Sequence, residues 1–218
     1  MSPVLLEPVD PRRNASQRVL LLPPAYSEPG DFLRAGFAAA VRSRGLDLDL
    51  VLIELRLQTV TDRSILAELG RLITAARSSG CVTLWLGGIS LGAFIALAYA
   101  EREFHGLDGL CLFAPYLGSH IVTQEIERAG GVGRWEPGEL ADADEERRIW
   151  RFIKSQARGP LPIHLGLGRE DRFGERHRTL AAALAAENVD TVPGGHEWPV
   201  WRSLWERFLD ARIARSAV

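Results

Sequence analysis

The apolar positions of this chain switch repeatedly between short continuous runs and a three-to-four-residue spacing. RVLLLPP is an apolar run closed by Pro23 and Pro24, which cannot continue a central strand, so a strand ends there. From Asp31 to Arg44 the residues Leu33, Phe37, Ala40 and Val41 recur at helical spacing, and Gly45 supplies the stop. LDLDLVLIEL starts in alternation and becomes continuous from Leu50 to Ile53, the pattern of a strand covered on both faces. Thr61 or Asp62 can cap a second helix with a stripe of Ile65, Leu66, Leu69, Leu72, Ile73 and Ala76, ended by Gly80.

The alternation continues. CVTLWLGG predicts a strand, LGAFIALAYAERE a helix and GLDGLCLFAPY a strand; after an interval, PIHLGLG, RHRTLAAALAAEN, VDTV and VWRSLWERFLDARIA predict strand, helix, strand and an amphipathic closing helix. Strands separated by helices give an α/β fold, a mostly parallel sheet of about six strands with helices on both faces, because each parallel crossover needs a connecting element. The interval from Leu117 to Gly159 breaks this rhythm. It has no strand signal, two helical stretches near Val122 to Ala129 and Asp142 to Ala157, and a glycine-rich segment between them, and it predicts a small helical cap. We expect residues 1–218 to form one domain carrying that insertion, begun at RVLLLPP without a preceding hairpin.

Composition narrows the function classes. With 26 basic and 28 acidic residues the formal net charge is -2, so the chain has no electrostatic footprint for nucleic acid. Cys81 and Cys111 lie in separate apolar runs without a CxxC or Cys/His cluster, and read as small buried hydrophobes in a reducing compartment. No histidine and carboxylate grouping has metal-ligand spacing, no glycine-rich segment fits a phosphate loop, and neither a metal nor a cofactor is expected. Neither a leader peptide nor a membrane span is read from the sequence, which gives a cytoplasmic protein as the expectation.

Gly88-Ile89-Ser90-Leu91-Gly92 stands between a predicted strand and a predicted helix. A serine at the tip of such a turn is exposed and strained, and the residues two before and two after must be small for strand and helix to approach. The helix starting at Leu91 also directs free amides to the site, where the Leu91 N–H can hold an oxyanion. A serine needs a base. Of five histidines, His105, His164 and His177 read as structural or solvated, His120 lies in the cap interval, and His196 stands on a glycine-flanked loop before the closing helix. The carboxylate that would orient it should follow a strand at the same edge of the sheet; Asp171 after PIHLGLG fits, with Glu170 as the neighbouring alternative.

The order Ser90, Asp171, His196 on this alternating pattern resembles the α/β-hydrolase family, from Arg18 to about Ala214, and the segment from GREDRF through VPGGHEWPVWRSLW looks like the small single-domain serine esterases. The resemblance implies hydrolysis of a small-molecule carboxylic ester through an acyl-enzyme, with a thioesterase or lysophospholipase on the same triad as the alternative. From another class, it admits a catalytically silent ligand-binding protein of the same fold. One departure concerns the oxyanion hole: many members carry His-Gly after the first strand, where this chain has Pro23-Pro24-Ala25-Tyr26. Proline has no N–H to donate, so Ala25, or alternatively Tyr26, becomes the second donor beside Leu91. Tyr26, Ile89, Tyr116, His120 and Trp198 are the residues expected to line the substrate pocket.

Overall fold

A computed structural model describes residues 4–8, 14–157 and 159–213. Among them a seven-stranded sheet runs in the order β1-β3-β2-β4-β5-β6-β7. The strands are β1 (Val4–Glu7), β2 (Gln17–Leu22), β3 (Leu48–Ile53), β4 (Thr83–Ile89), β5 (Gly109–Phe113), β6 (Ile163–Gly168) and β7 (Val189–Val192). Neighbours are parallel except β1, which pairs antiparallel with β3, Leu5 opposite Leu52 and Leu6 opposite Val51.

β1 is the strand beyond the expected six. Its VLLE run is too short for a periodic signal and is bracketed by Pro3 and Pro8, so only the open side of β3 makes it a strand. β3 is buried at all six positions, as its continuous apolar run requires.

The helices cover both faces. On one face α1 (Pro29–Arg34), α2 (Phe37–Ser43) and α9 (Trp198–Phe208) share a core with Val19, Leu21, Trp85 and Phe113. On the other, α4 (Ser64–Ser78) and α5 (Leu91–Arg102) pack with Leu20, Leu86 and Leu112. The helix expected over 31–44 is two, because Gly36 takes φ 85° between them. A short α3 (Leu57–Thr61) precedes α4, and the first amide of α4, that of Ser64, donates to the Asp62 carboxylate at 2.9 Å. The cap contains α6 (His120–Arg128) and α7 (Glu145–Gln156); their apolar sides, including Ile126, Ile149, Trp150 and Ile153, join the α5 core. α8 (Gly174–Ala181) is shorter than RHRTLAAALAAEN suggested, a 3₁₀ turn (Ala186–Asn188) leading into β7. α9 begins two residues before the expected start and ends in a π turn (Leu209–Ile213); Ala214 lies outside the described residues. Among the described residues no helix is long and apolar enough to cross a membrane.

This topology creates a switch point. β2 connects to β3 on one side, and the next crossover returns to β4 on its other side. The C-terminal ends of β2 and β4 diverge there into connections on opposite faces, the place where open α/β sheets bind ligands.

Candidate active site

Ser90 follows β4 at this switch point, with φ 51° and ψ -111°, outside the regions side chains favour. Sterics force the turn. A Cβ on Gly88 would lie 2.5 Å from the Gly92 carbonyl carbon, and one on Gly92 would collide with the Leu22 and Pro23 carbonyls. Strand β4, helix α5 and the end of β2 therefore meet only because both positions lack a side chain. The Ser90 amide donates to the Phe113 carbonyl at 3.0 Å, and the Ser90 carbonyl accepts from the amides of Phe94 (3.1 Å) and Tyr116 (3.0 Å). These bonds fix the backbone under the hydroxyl from β5, α5 and the loop after β5 together.

Asp171 follows β6 and is fully enclosed. Its Oδ2 lies 2.7 Å from His196 Nδ1 and its Oδ1 accepts the Phe173 amide at 2.9 Å. Burial works to raise its pKa, but the hydrogen bonds from His196 and Phe173, with the nearby imidazoles of His177 and His196, hold it below the usual carboxylate value. An ionised Asp171 only accepts hydrogen bonds, so Nδ1 of His196 carries a proton, and in the neutral imidazole the free lone pair is then on Nε2. The imidazole stands edge-to-face between Phe173 (5.2 Å) and Trp201 (5.1 Å). Glu170 serves the same loops differently: its carboxylate accepts the Gly194 amide, tying the turn after β6 to the loop after β7.

That loop reaches from β7 to Trp198, whose ring meets Phe32 (5.4 Å) and Phe37 (6.1 Å) of the helices that follow β2. Because β4 and β5 lie between β2 and β6, the loop brings His196 to the sheet edge on which Ser90 stands. Among the described residues the Ser90 hydroxyl itself makes no hydrogen bond. The Leu91 amide, first in α5, has no acceptor among them, and neither has the amide of Ala25, which is exposed in the turn three residues after β2. Tyr26 is fully exposed with φ 61°.

The other expected pocket residues separate. Tyr116 lines a cleft of about 460 Å³ between α5 and the cap. Ile89 is buried in the core with α1, α2 and α9; Trp198 packs among Phe32, Phe37 and Trp201; His120 is exposed at the start of α6, and none of the three lines that cleft. Phe94, whose ring meets that of Tyr116 at 5.6 Å, and Arg63 also line this cleft and were not among the residues expected from the sequence. The spacing offers a signal for Phe94, which lies four residues after Ser90, one turn into the helix that follows it. His177, read as structural or solvated, is buried beneath Asp171 and bonded through Nε2 to the Pro115 carbonyl at 3.0 Å.

No protein-family model matches the sequence, and no curated protein sequence matches it. Solved structures do. The S-formylglutathione hydrolase FrmB of Staphylococcus aureus superposes with a TM-score of 0.68 at 9% identity, covering 96% of this chain and 89% of its own. Est1E of Butyrivibrio proteoclasticus gives 0.69 at 14% identity over 97% and 94%. A monoacylglycerol lipase of Paleococcus ferrophilus gives 0.57 at 16% identity over 97% and 99%. The chain thus has the α/β-hydrolase fold, shared over nearly its whole length with esterases and serine hydrolases to which it has little sequence likeness.

Proposed function

We propose that the protein is a serine hydrolase that cleaves carboxylic esters through an acyl-enzyme. The observation that carries this reading is the buried Asp171–His196 pair at 2.7 Å, delivered by the loops after β6 and β7 to the sheet edge where the Gly88–Gly92 turn presents Ser90. In the reaction, Nε2 of His196 takes the Ser90 proton as Oγ attacks the acyl carbon. The negative charge on the former carbonyl oxygen is held by the amides of Leu91 and Ala25, with Tyr26 as the alternative to Ala25. The imidazolium returns its proton to the departing alcohol, leaving the acyl group on Oγ; water activated by the same imidazole then releases the acid and restores Ser90. Asp171 stays ionised throughout and keeps the imidazole in the required tautomer.

Solved structures with the same fold include a serine hydrolase described as fluorophosphonate-binding and an esterase phosphoramylated by tabun, which is reactivity expected of an activated serine. We expect a fluorophosphonate probe to label wild type at Ser90. Ser90→Ala should lose labelling and reduce turnover of p-nitrophenyl acetate by on the order of 10⁴-fold or more after subtraction of buffer hydrolysis. Retained turnover in that variant would sink the assignment. Failure of wild type to label would instead favour a catalytically silent binding protein. Acyl thioesters and lysolipids, run beside short-chain esters, decide among the hydrolase subclasses sharing this triad.

A further inference from the structure

A cleft between α5 and the cap is lined by Phe94 of α5, Tyr116 of the loop after β5, Ile121 and Val122 of α6, Arg63, and residues 143–147 at the start of α7. Phe94 and Tyr116 are the two residues whose amides hold the Ser90 carbonyl, so the backbone that positions the nucleophile also positions this wall. Their rings meet edge-to-face at 5.6 Å, with Ile121 exposed on the opposite side. The cleft is open to solvent and has a volume of about 460 Å³, room enough for an aromatic ring.

The charged side chains that line it are each engaged by a polar or charged partner. Arg147 pairs with Glu125 (2.8 Å) and Asp144 (2.9 Å), Glu146 accepts both the amide (2.9 Å) and the hydroxyl (2.7 Å) of Ser119, and Arg63 lies 3.6 Å from Glu145. A charged substrate group entering here would lose hydration and find its would-be partners already engaged.

We propose that this cleft is the subsite for an uncharged aromatic portion of the ester, with Phe94 and Tyr116 as the residues that select it. The inference rests on the hydrolase reading and names its substrate class. Two aromatic rings already in edge-to-face contact offer a face and an edge to a third ring, an attraction a saturated ring of similar size does not receive.

The test compares phenyl with cyclohexyl esters. Methyl 3-phenylpropanoate against methyl 3-cyclohexylpropanoate probes the acyl side; 2-phenylethyl acetate against 2-cyclohexylethyl acetate probes the alcohol side. In at least one pair kcat/KM should favour phenyl by about three- to tenfold, and the ratio should fall toward one in Phe94→Leu and Tyr116→Leu. A carboxylate on the ring should lower kcat/KM by about tenfold or more, and Ile121→Arg, at an exposed position, should recover part of that loss. Ratios near one in both pairs, ratios unchanged in the two leucine variants, or preference for the carboxylate-bearing ester would each overturn the proposal. A protein that labels at Ser90 yet shows flat ratios keeps the hydrolase reading and loses only the subsite. Were no ester turned over, the same phenyl-to-cyclohexyl ratio read as Kd for 3-phenylpropanamide and its cyclohexyl analogue decides the cleft by itself.

Discussion

Ser90 is held in its strained turn by neighbours with no room to spare, which makes Gly92 as consequential as Ser90 itself. Alanine is ordinarily the better helix residue, yet here its methyl would meet the Leu22 and Pro23 carbonyls, backbone that cannot step aside. We expect Gly92→Ala to cost about 3 kcal/mol in urea unfolding and, in whatever folds, to slow fluorophosphonate labelling by displacing the elbow. The acid makes a different demand. Asp171→Asn keeps the shape but can donate to Nδ1, which favours the tautomer with the proton on Nε2, where the base must be free. Turnover should fall by on the order of 10³-fold with KM little changed, read from steady-state kinetics on a single ester.

Among the elements, α7 matters because it carries one wall of the cleft and is anchored to α5, the helix that follows Ser90. Arg148 of α7 lies 3.2 Å from Glu101 of α5 and also donates to the Asp142 carbonyl; both side chains are nearly buried. Arg148→Met keeps much of the stem and strands the Glu101 carboxylate, so stability should drop by about 3 kcal/mol. Adding Glu101→Gln should restore part of it. A double-mutant cycle in urea checks this: additivity of the two changes would show that the pair does not tie α7 to α5.

For the whole molecule, pH dependence follows from histidines that folding removes from water. His164 of β6 is packed against Phe113 and Phe208, with neither ring nitrogen hydrogen-bonded and Asp190 Oδ2 3.5 Å from Nε2. Burial lowers its pKa from 6.5 to about 4; Asp190 opposes the shift and Arg212 adds to it. The unfolded chain therefore binds the proton more readily, and the stability tied to a neutral His164 is complete above about pH 6.5 and lost as pH falls through about 4, up to ~3 kcal/mol in all. His177, also pushed down chiefly by burial, acts with the same sign. Urea midpoints from pH 7 to 4 should fall in wild type and fall less in His164→Leu; identical slopes would remove His164 as the source.

The chain's own pattern determined the alternation of strands and helices, the insertion after β5, and the elbow at Ser90, because each is written in local spacing: the period of apolar residues, and two glycines flanking a serine. Asp171 and His196 were readable as the loop carboxylate and loop histidine that follow the last two strands. Only the tertiary structure decided which candidates share a space. Whether Ile89 faces the cap or the opposite layer depends on the phase of β4 against helices far away in sequence. Which rings Trp198 meets depends on where the last loop lands. Strand β1 exists because β3 leaves an edge to pair with, and the aromatic cleft exists because Phe94 and Tyr116, distant in sequence, are gathered by one carbonyl oxygen of Ser90. Local sterics and periodicity act over a few residues and can be read along the chain; apposition of layers acts across the sheet and becomes visible only when the layers have met.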